Sequence, residues 1–361
     1  MANSSFYIGT YSDANAREDE RSQGIYRASL NVNNGALEDL QPAAWASNGC
    51  FLAISANRRF LYAIGDTFEP DVQLKGAVAA FAVDEQSGNL HFLNQQPTPN
   101  GISCHVNVDA TNRLLVSVSY RRGSFASYLL APDGTIDPFR EHVQHHGQGT
   151  NPTRQEGPHA HQAIFSPDNR FLLVNDLGID KIGCYAIDPT LGQLVPESVR
   201  WTKVHDGAGP RHLAFHPNGR YVYLINELDS TITVFAYGTA SGSLQELQVI
   251  STLPEGYTGE KWCADIHVHP SGRFLYGSNR GHNSIVIYAI DEASGRVRTL
   301  GYQASLGKTP RNFAIDPTGK FLLVANQDGN SIVSFAINPE QGLLSTTGHS
   351  LTLSKPVCIK F

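Results

Sequence analysis

Residues 209–235 read GPRHLAFHPNGRYVYLINELDSTITVF. Two short alternating runs, His212–His216 and Arg220–Ile225, flank Pro217-Asn218-Gly219. Successive strand side chains point to opposite faces, so alternating runs around a Pro/Asn/Gly turn predict a β-hairpin. The Asn-Gly pair supplies the positive φ that a tight turn requires. A third strand is predicted over Thr231–Tyr237, after Asp229-Ser230.

The same pattern recurs along the chain. Aligned on the basic residue that opens the second strand, six copies stand out. They are FLAISANRRFLYAIG (Arg59), HVNVDATNRLLVSVS (Arg113), QAIFSPDNRFLLVND (Arg170), HLAFHPNGRYVYLIN (Arg220), DIHVHPSGRFLYGSN (Arg273) and NFAIDPTGKFLLVAN (Lys320). Successive gaps are 54, 57, 50, 53 and 47 residues. Third strands such as STITVFAY, NSIVIYAI and NSIVSFAI follow, then a turn and a fourth strand. Four strands per period is the blade of a β-propeller. At the N-terminus FYIGTYS, GIYRASL and ALEDLQPA supply strands two, three and four of a blade without its first; at the C-terminus PVCIKF is a first strand without the others. Pairing the two ends completes a seventh blade and removes the open sheet edges. The expected fold is all-β: a seven-bladed β-propeller of four antiparallel strands per blade, with residues 1–361 as a single domain.

A chain of 361 residues suggests two domains on length alone. The repeat overrides that prior, because no blade buries its faces without its neighbours. The 41% of apolar residues suffices for cores between blades, and 33 glycines suit a turn-rich all-β chain. There is no apolar N-terminal run and no stretch long enough to cross a bilayer. Five cysteines, an odd number without metal-type spacing, read as free thiols and point to the reducing cytoplasm. A formal net charge of −6 argues against nucleic acid or an anionic membrane as partner. The expected partner is a small molecule; an anionic one must be captured by local arginines against the global field.

Strand direction alternates within a blade, so the start of strand one and the end of strand two share one face. On that face fall Cys104-His105, His159-Ala160-His161, Pro210-Arg211-His212, Ala264-Asp265 and Pro310-Arg311-Asn312. Asn175-Asp176, Asn226-Glu227, Asn279-Arg280-Gly281-His282 and Asn326-Gln327-Asp328 join them. The opposite turns, SPDN, HPNG, HPSG and DPTG, are ordinary turn chemistry. Asn175, Asn226, Asn279 and Asn326 recur once per blade and are expected to satisfy backbone groups at strand ends. Arg211, Glu227 and Arg280 instead interrupt the repeat with charge beside a narrow channel, where unpaired charge is costly. Mutual ion pairing is the structural alternative to a chemical role for them.

Five histidines crowd into Glu141–His161, EHVQHHGQGTNPTRQEGPHAH. His145 and His146 are adjacent, and no carboxylate or cysteine stands at a usual ligand spacing. No metal site and no cofactor are therefore expected. A segment rich in Gly, Pro and Asn between two blades reads better as a lid or wall of a site.

The segments PHAHQAIFSPDNRFLLVNDLG, GPRHLAFHPNGRYVYLINEL, ADIHVHPSGRFLYGSNRG and TPRNFAIDPTGKFLLVANQ resemble the seven-bladed propeller lactonase family. That family includes the propeller type of 6-phosphogluconolactonase and the fungal carboxymuconate lactonizing enzymes. The likeness runs from YIGTYS to PVCIKF. It implies a lactone hydrolase acting on a sugar lactone, 6-phosphogluconolactone or a related aldonolactone, with cycloisomerisation as the alternative. The family's proposed site of a histidine, two arginines and a glutamate carries over to His161, Arg211, Glu227 and Arg280, with His159 as the neighbouring choice for the histidine. Around them His159, Asp265, His282, Arg311 and Asn326 are expected to contact substrate. Glu227 or His161 would act as general base, and the arginines would hold an oxyanion or an anionic substrate group. A non-catalytic binding scaffold would place aromatics there instead. The chain departs from its relatives in blade two, ATNRLLVSVSYRRG, and in an insertion, TFEPDVQLKG, in blade one.

Overall fold

The computed structural model describes residues 3–12, 22–69, 75–99, 101–188 and 190–361. Pro70–Leu74 of the blade-one insertion lie outside the described residues. The strands form seven four-stranded antiparallel sheets. Six follow chain order, one per repeat; blade four, for example, runs through Pro210–Phe215, Tyr221–Asn226, Thr231–Gly238 and Ser243–Ser251. The seventh joins the two ends of the chain. Its first strand is Pro356–Lys360, beside Asn3–Thr10, Gly24–Asn31 and Leu37–Trp45. Tyr7 pairs with Lys360, Ile8 with Ile359 and Gly9 with Cys358, the predicted closure.

Strand one of each blade is innermost. The seven first strands are Phe51–Ile54, His105–Val108, Ala160–Phe165, Pro210–Phe215, Cys263–Val268, Pro310–Ile315 and Pro356–Lys360. Each lies against the next and the last against the first, so they line a central channel.

Apolar side chains are shared between blades. Tyr223, Ile225, Ile232 and Val234 of blade four interleave with Ile266, Leu275, Val286 and Tyr288 of blade five. Each such residue contributes roughly 1.5–3 kcal/mol when buried, none of it available to an isolated blade. A polar clasp repeats on the same interfaces. Tyr7, Tyr223 and Tyr276 donate their phenol hydrogens to the carbonyls of Gly88, Gly295 and Gly342 in the following blade, at 2.7, 3.0 and 2.8 Å.

The turn that opened the sequence reading closes through Gly219 N–H donating to His216 O at 2.9 Å, with φ +70° at Gly219 alone. Blades two and three put Asn112 and Asn169 at that left-handed position. Their side chains compensate by accepting from Ala56 N and Ala110 N of the preceding blade, at 2.7 and 3.1 Å. The departure of blade two from a Gly turn thus exchanges backbone freedom for an interblade bond. Among the described residues no helix is long and apolar enough to cross a membrane.

Candidate active site

Three successive rings of side chains surround the channel, and the repeat explains each. The outermost occupies the end of strand two, at its last residue in blade three and just after it in the others: Asp66, Tyr120, Asp176, Glu227, Arg280 and Gln327 in blades one to six. The next lies at the start of strand one: Cys50, Cys104, His161, Arg211, Ala264 and Arg311. The third is one residue further along: Phe51, His105, Gln162, His212, Asp265 and Asn312.

In blades three, four and six the pairing register slips at His161, Arg211 and Arg311, each the unpaired residue of a β-bulge. A bulge re-aims the extra side chain, here toward the channel. Members of the first two rings line a cavity of about 640 Å3. Its wall includes His161, Glu227, Arg280, Arg311, Tyr120 and Arg154.

Glu227 is the hub. Its Oε2 accepts from Arg211 Nε at 2.9 Å and pairs with Arg280 Nη2 at 2.7 Å, while Oε1 accepts from Arg154 Nη2 at 2.5 Å. Arg211 is fully buried and also donates to Ala264 O at 2.6 Å; Arg280 donates to Cys263 O at 3.0 Å. The alanine in blade five leaves room for the Arg211 guanidinium to reach that carbonyl. Burial alone would raise the Glu227 carboxyl; Arg280, Arg211 and the Arg154 hydrogen bond more than reverse it and hold it far below the usual carboxylate range. Burial, with Arg280 and Arg311 nearby, brings Arg211 down to about 10. Arg311 lies 5.5 Å over the Tyr11 ring, with no carboxylate bonded to it among the described residues.

His161 is buried at the cavity floor, and its Nδ1 has no hydrogen-bond partner among the described residues. Its ring meets Tyr120 edge-on, with centroids 5.6 Å apart. Burial, then the charges of Arg211, His212, Arg311 and Arg280, hold its pKa well below the usual histidine value. It is a neutral imidazole at neutral pH. The two thiols on the wall are poor nucleophiles, since burial pushes Cys50 up to about 12 and Cys104 up to about 11.

The geometry brings His161, Arg211, Glu227, Arg280 and Arg311 together. Four other expected contacts lie elsewhere. Asp265 belongs to the third ring and faces a second cavity of about 520 Å3 at the opposite mouth of the channel. It aligns with His212 rather than Arg211, and that single residue step moves its side chain down one layer. His159 stacks on Tyr120 at 4.5 Å, and its nitrogens are engaged by Tyr120 O and Glu156. His282 is spent on Ser284 Oγ, 2.7 Å from its Nδ1. Asn326 is buried and donates to Ser305 O at 3.2 Å, the backbone role expected for its position.

Arg154 joins the site from the histidine-rich segment, outside the repeat that marks the other site residues. Gln155 pins that segment, donating to Leu177 O at 2.8 Å and Asp180 Oδ1 at 2.7 Å. The segment is therefore a wall of the cavity. His145 is structural, held between Asp176 at 2.6 Å and Tyr185 at 2.9 Å. Among the described residues no three His, Cys, Asp or Glu side chains are grouped to hold a metal ion. The irregular SYRRG ending of blade two furnishes Tyr120 and Arg121 to the wall.

Comparison with known proteins agrees with this architecture. Residues 5–361 match the family described as "Lactonase, 7-bladed beta-propeller". The chain is 34% identical over 311 residues to the 6-phosphogluconolactonase of Bacillus subtilis, covering 86% of this chain and 84% of that one. It is 33% identical over 313 residues to the 6-phosphogluconolactonase of Formosa agariphila, covering 86% of each. Among solved structures it superposes on the periplasmic gluconolactonase of Pseudomonas aeruginosa with a TM-score of 0.90 and 28% identity, over 100% of this chain and 99% of the other. With the match running from residue 5 to residue 361, through all seven blades, the chain belongs to the seven-bladed β-propeller lactonase family.

Proposed function

We propose that the protein is a lactone hydrolase whose substrate is an anionic sugar lactone, 6-phosphogluconolactone or a related aldonolactone. Family membership supports the reaction class, and named relatives support the sugar lactone. The observation that carries the chemistry is a neutral, unbonded imidazole beside guanidiniums locked on one carboxylate.

In this reading His161 takes a proton from water as that water attacks the lactone carbonyl. The tetrahedral oxyanion forms against fixed cations, whose orientation costs nothing at the moment of reaction. His161 then returns the proton to the ring oxygen as the C–O bond breaks. The product is a hydroxy acid, which ionises and releases one proton. Glu227 is a poor base here, with both oxygens engaged and its pKa depressed; it serves as the counter-ion that holds Arg211, Arg280 and Arg154 in place. Arg311, free of any carboxylate among the described residues, suits the carboxylate or phosphate of a substrate.

Acid release from a panel of sugar lactones, phosphorylated and not, tests the reading, with carboxymuconate assayed beside them. Turnover of a phosphorylated aldonolactone is expected. Lactonizing activity without hydrolysis would replace the hydrolase with a cycloisomerase, and no turnover at all would leave a binding scaffold. The five free cysteines support a cytoplasmic location, which cell fractionation would check against the periplasmic address of the Pseudomonas aeruginosa neighbour.

A further inference from the structure

Beneath His161 the channel does not end. His161 and His212 share a cavity of about 10 Å3, also touched by Arg211, Arg311 and Asn312. That is room for one water. The two imidazole centroids stand 5.1 Å apart at an interplanar angle of 69°. His161 Nδ1 and His212 Nε2 are both buried without a partner among the described residues. Two orphaned nitrogens on the wall of a single water-sized space would be costly unless bridged.

The far side of His212 settles which nitrogen carries the proton. His212 Nδ1 lies 2.8 Å from Asp265 Oδ1, and both groups are buried. Asp265 Oδ1 also accepts from Ile266 N at 3.0 Å. Its Oδ2 accepts from Asn312 Nδ2 at 2.5 Å and Phe313 N at 3.4 Å, and lies 3.0 Å from His267 Nε2. Burial would raise this carboxyl, but His267 and His212 hold it well below the usual range, so it is ionised and only accepts. His212 therefore carries its hydrogen on Nδ1. Burial and Arg211 bring its pKa to about 4, so it is neutral and its Nε2 bears the lone pair. Across the small cavity that lone pair calls for a donor, and His161 Nδ1–H supplies it through water.

We propose that Asp265 and His212 are positioning residues for His161, holding it through one bridging water in the tautomer whose lone pair, on Nε2, is presented to the substrate cavity. The proposal rests on the reading of His161 as general base. Among the described residues no hydrogen bond orients that ring directly, and an imidazole in the other tautomer would present N–H to the attacking water and fail as a base. The charged and titratable neighbours are few. His161 is faced by Arg211, Arg280, Arg311, Glu227, Tyr120 and Cys104. His212 is faced by Asp265, Arg211, His267 and His105. Of the two ionised carboxylates among these, Glu227 is taken up by arginines and only Asp265 is hydrogen-bonded to the two-histidine stack.

The test combines nitrogen-15 spectra of histidine-labelled protein with kinetics of Asp265→Asn, His212→Asn and His161→Asn. In the wild type the His161 signals should show a proton on Nδ1 and none on Nε2. Asp265→Asn and His212→Asn should lower kcat about ten- to a hundred-fold at unchanged KM, as misplacement of a reacting group does, with a mixed tautomer at His161. A wild-type His161 protonated on Nε2 overturns the proposal even if neither variant folds. So do folded variants with wild-type kcat while His161→Asn is inactive. If His161→Asn keeps full activity, the reading of His161 as base is what fails.

Discussion

Replacing Glu227 by Gln separates the counter-ion reading from the general-base reading. Arg211 and Arg280 are almost wholly buried, with side-chain exposures of 2% and 9%. Removing the carboxylate leaves two cations in low dielectric without their counter-charge. Breaking a buried pair in this way costs about 3–5 kcal/mol. Arg154, with 36% of its side chain exposed, is rehydrated and adds little. Gln keeps one acceptor oxygen, so the lower end of the range applies. For 361 residues, unfolding entropy near 2.1 cal/mol/K per residue converts about 3 kcal/mol into a melting shift of roughly 4 °C for a two-state ring. Inorganic phosphate should recover part of that loss by replacing the missing negative charge, and should protect the variant more than the wild type. Thermal melts with and without phosphate, alongside steady-state kinetics on the identified lactone, provide the assay. A folded Glu227→Gln protein that melts within a degree of wild type, ignores phosphate and loses only kcat would refute the counter-ion argument and restore Glu227 as the base.

Other consequences follow from the same geometry. Because His161 must be unprotonated to act and its pKa is depressed, kcat/KM should stay flat through the ordinary histidine range and fall only as the pH drops well below 6.5. His105, His161 and His212 are all buried with lowered pKa values, so the unfolded chain binds protons that the native one refuses. Stability should fall as pH drops below about 6.5, by up to about 1.4 kcal/mol per pH unit for each histidine, measured by urea unfolding between pH 7 and 5; a pH-independent midpoint would contradict it. Arg154→Ala should raise KM for an anionic lactone about tenfold with a small change in kcat and little loss of stability, since its side chain is partly in water; an unchanged KM would remove it from substrate binding. Deleting Val357–Phe361 removes the strand paired to Asn3–Thr10 and should give insoluble or molten protein; a soluble product with the wild-type melting temperature would deny the closure.

The fold was legible because a propeller writes one structural unit many times. Six turns of the SPDN and HPNG kind fixed the blades, and two incomplete ends implied the seventh. Arg211, Glu227 and Arg280 were legible for a second reason: the repeat aligns them at positions beside the narrow channel, where charge is costly unless it is paired or used. Asp265 shows the limit of that logic. The sequence places it on the correct end of strand one, but the bulge in blade five sets Ala264 and Asp265 together opposite Ser278, and only the register tells which faces which cavity. Arg154 lies outside the repeat, on a segment with no periodicity to align. Its position is set by Gln155 and Asp180, contacts between parts of the chain that no local pattern relates.

The charge of the cavity runs against that of the chain. The molecule carries a formal −6, yet Arg154, Arg211 and Arg280 converge on a single carboxylate and Arg311 stands apart on an aromatic ring. Like charges packed this closely repel, which is why Arg280 and Arg311 help to depress Arg211. A flexible surface would relieve the repulsion by spreading its arginines into water. The ring prevents this, because bulges aim the side chains inward and backbone carbonyls at Ala264 and Cys263 hold the guanidiniums where they are. Over distances beyond roughly 8 Å physiological salt screens the negative exterior, whereas contacts inside the cavity are screened far less. An anion that reaches the mouth therefore meets the local arginines rather than the global charge. In the proposed reaction Arg311 holds the anionic group of the lactone while the fixed cations face the oxyanion, so the repulsion among them is relieved most when negative charge is developing on the substrate.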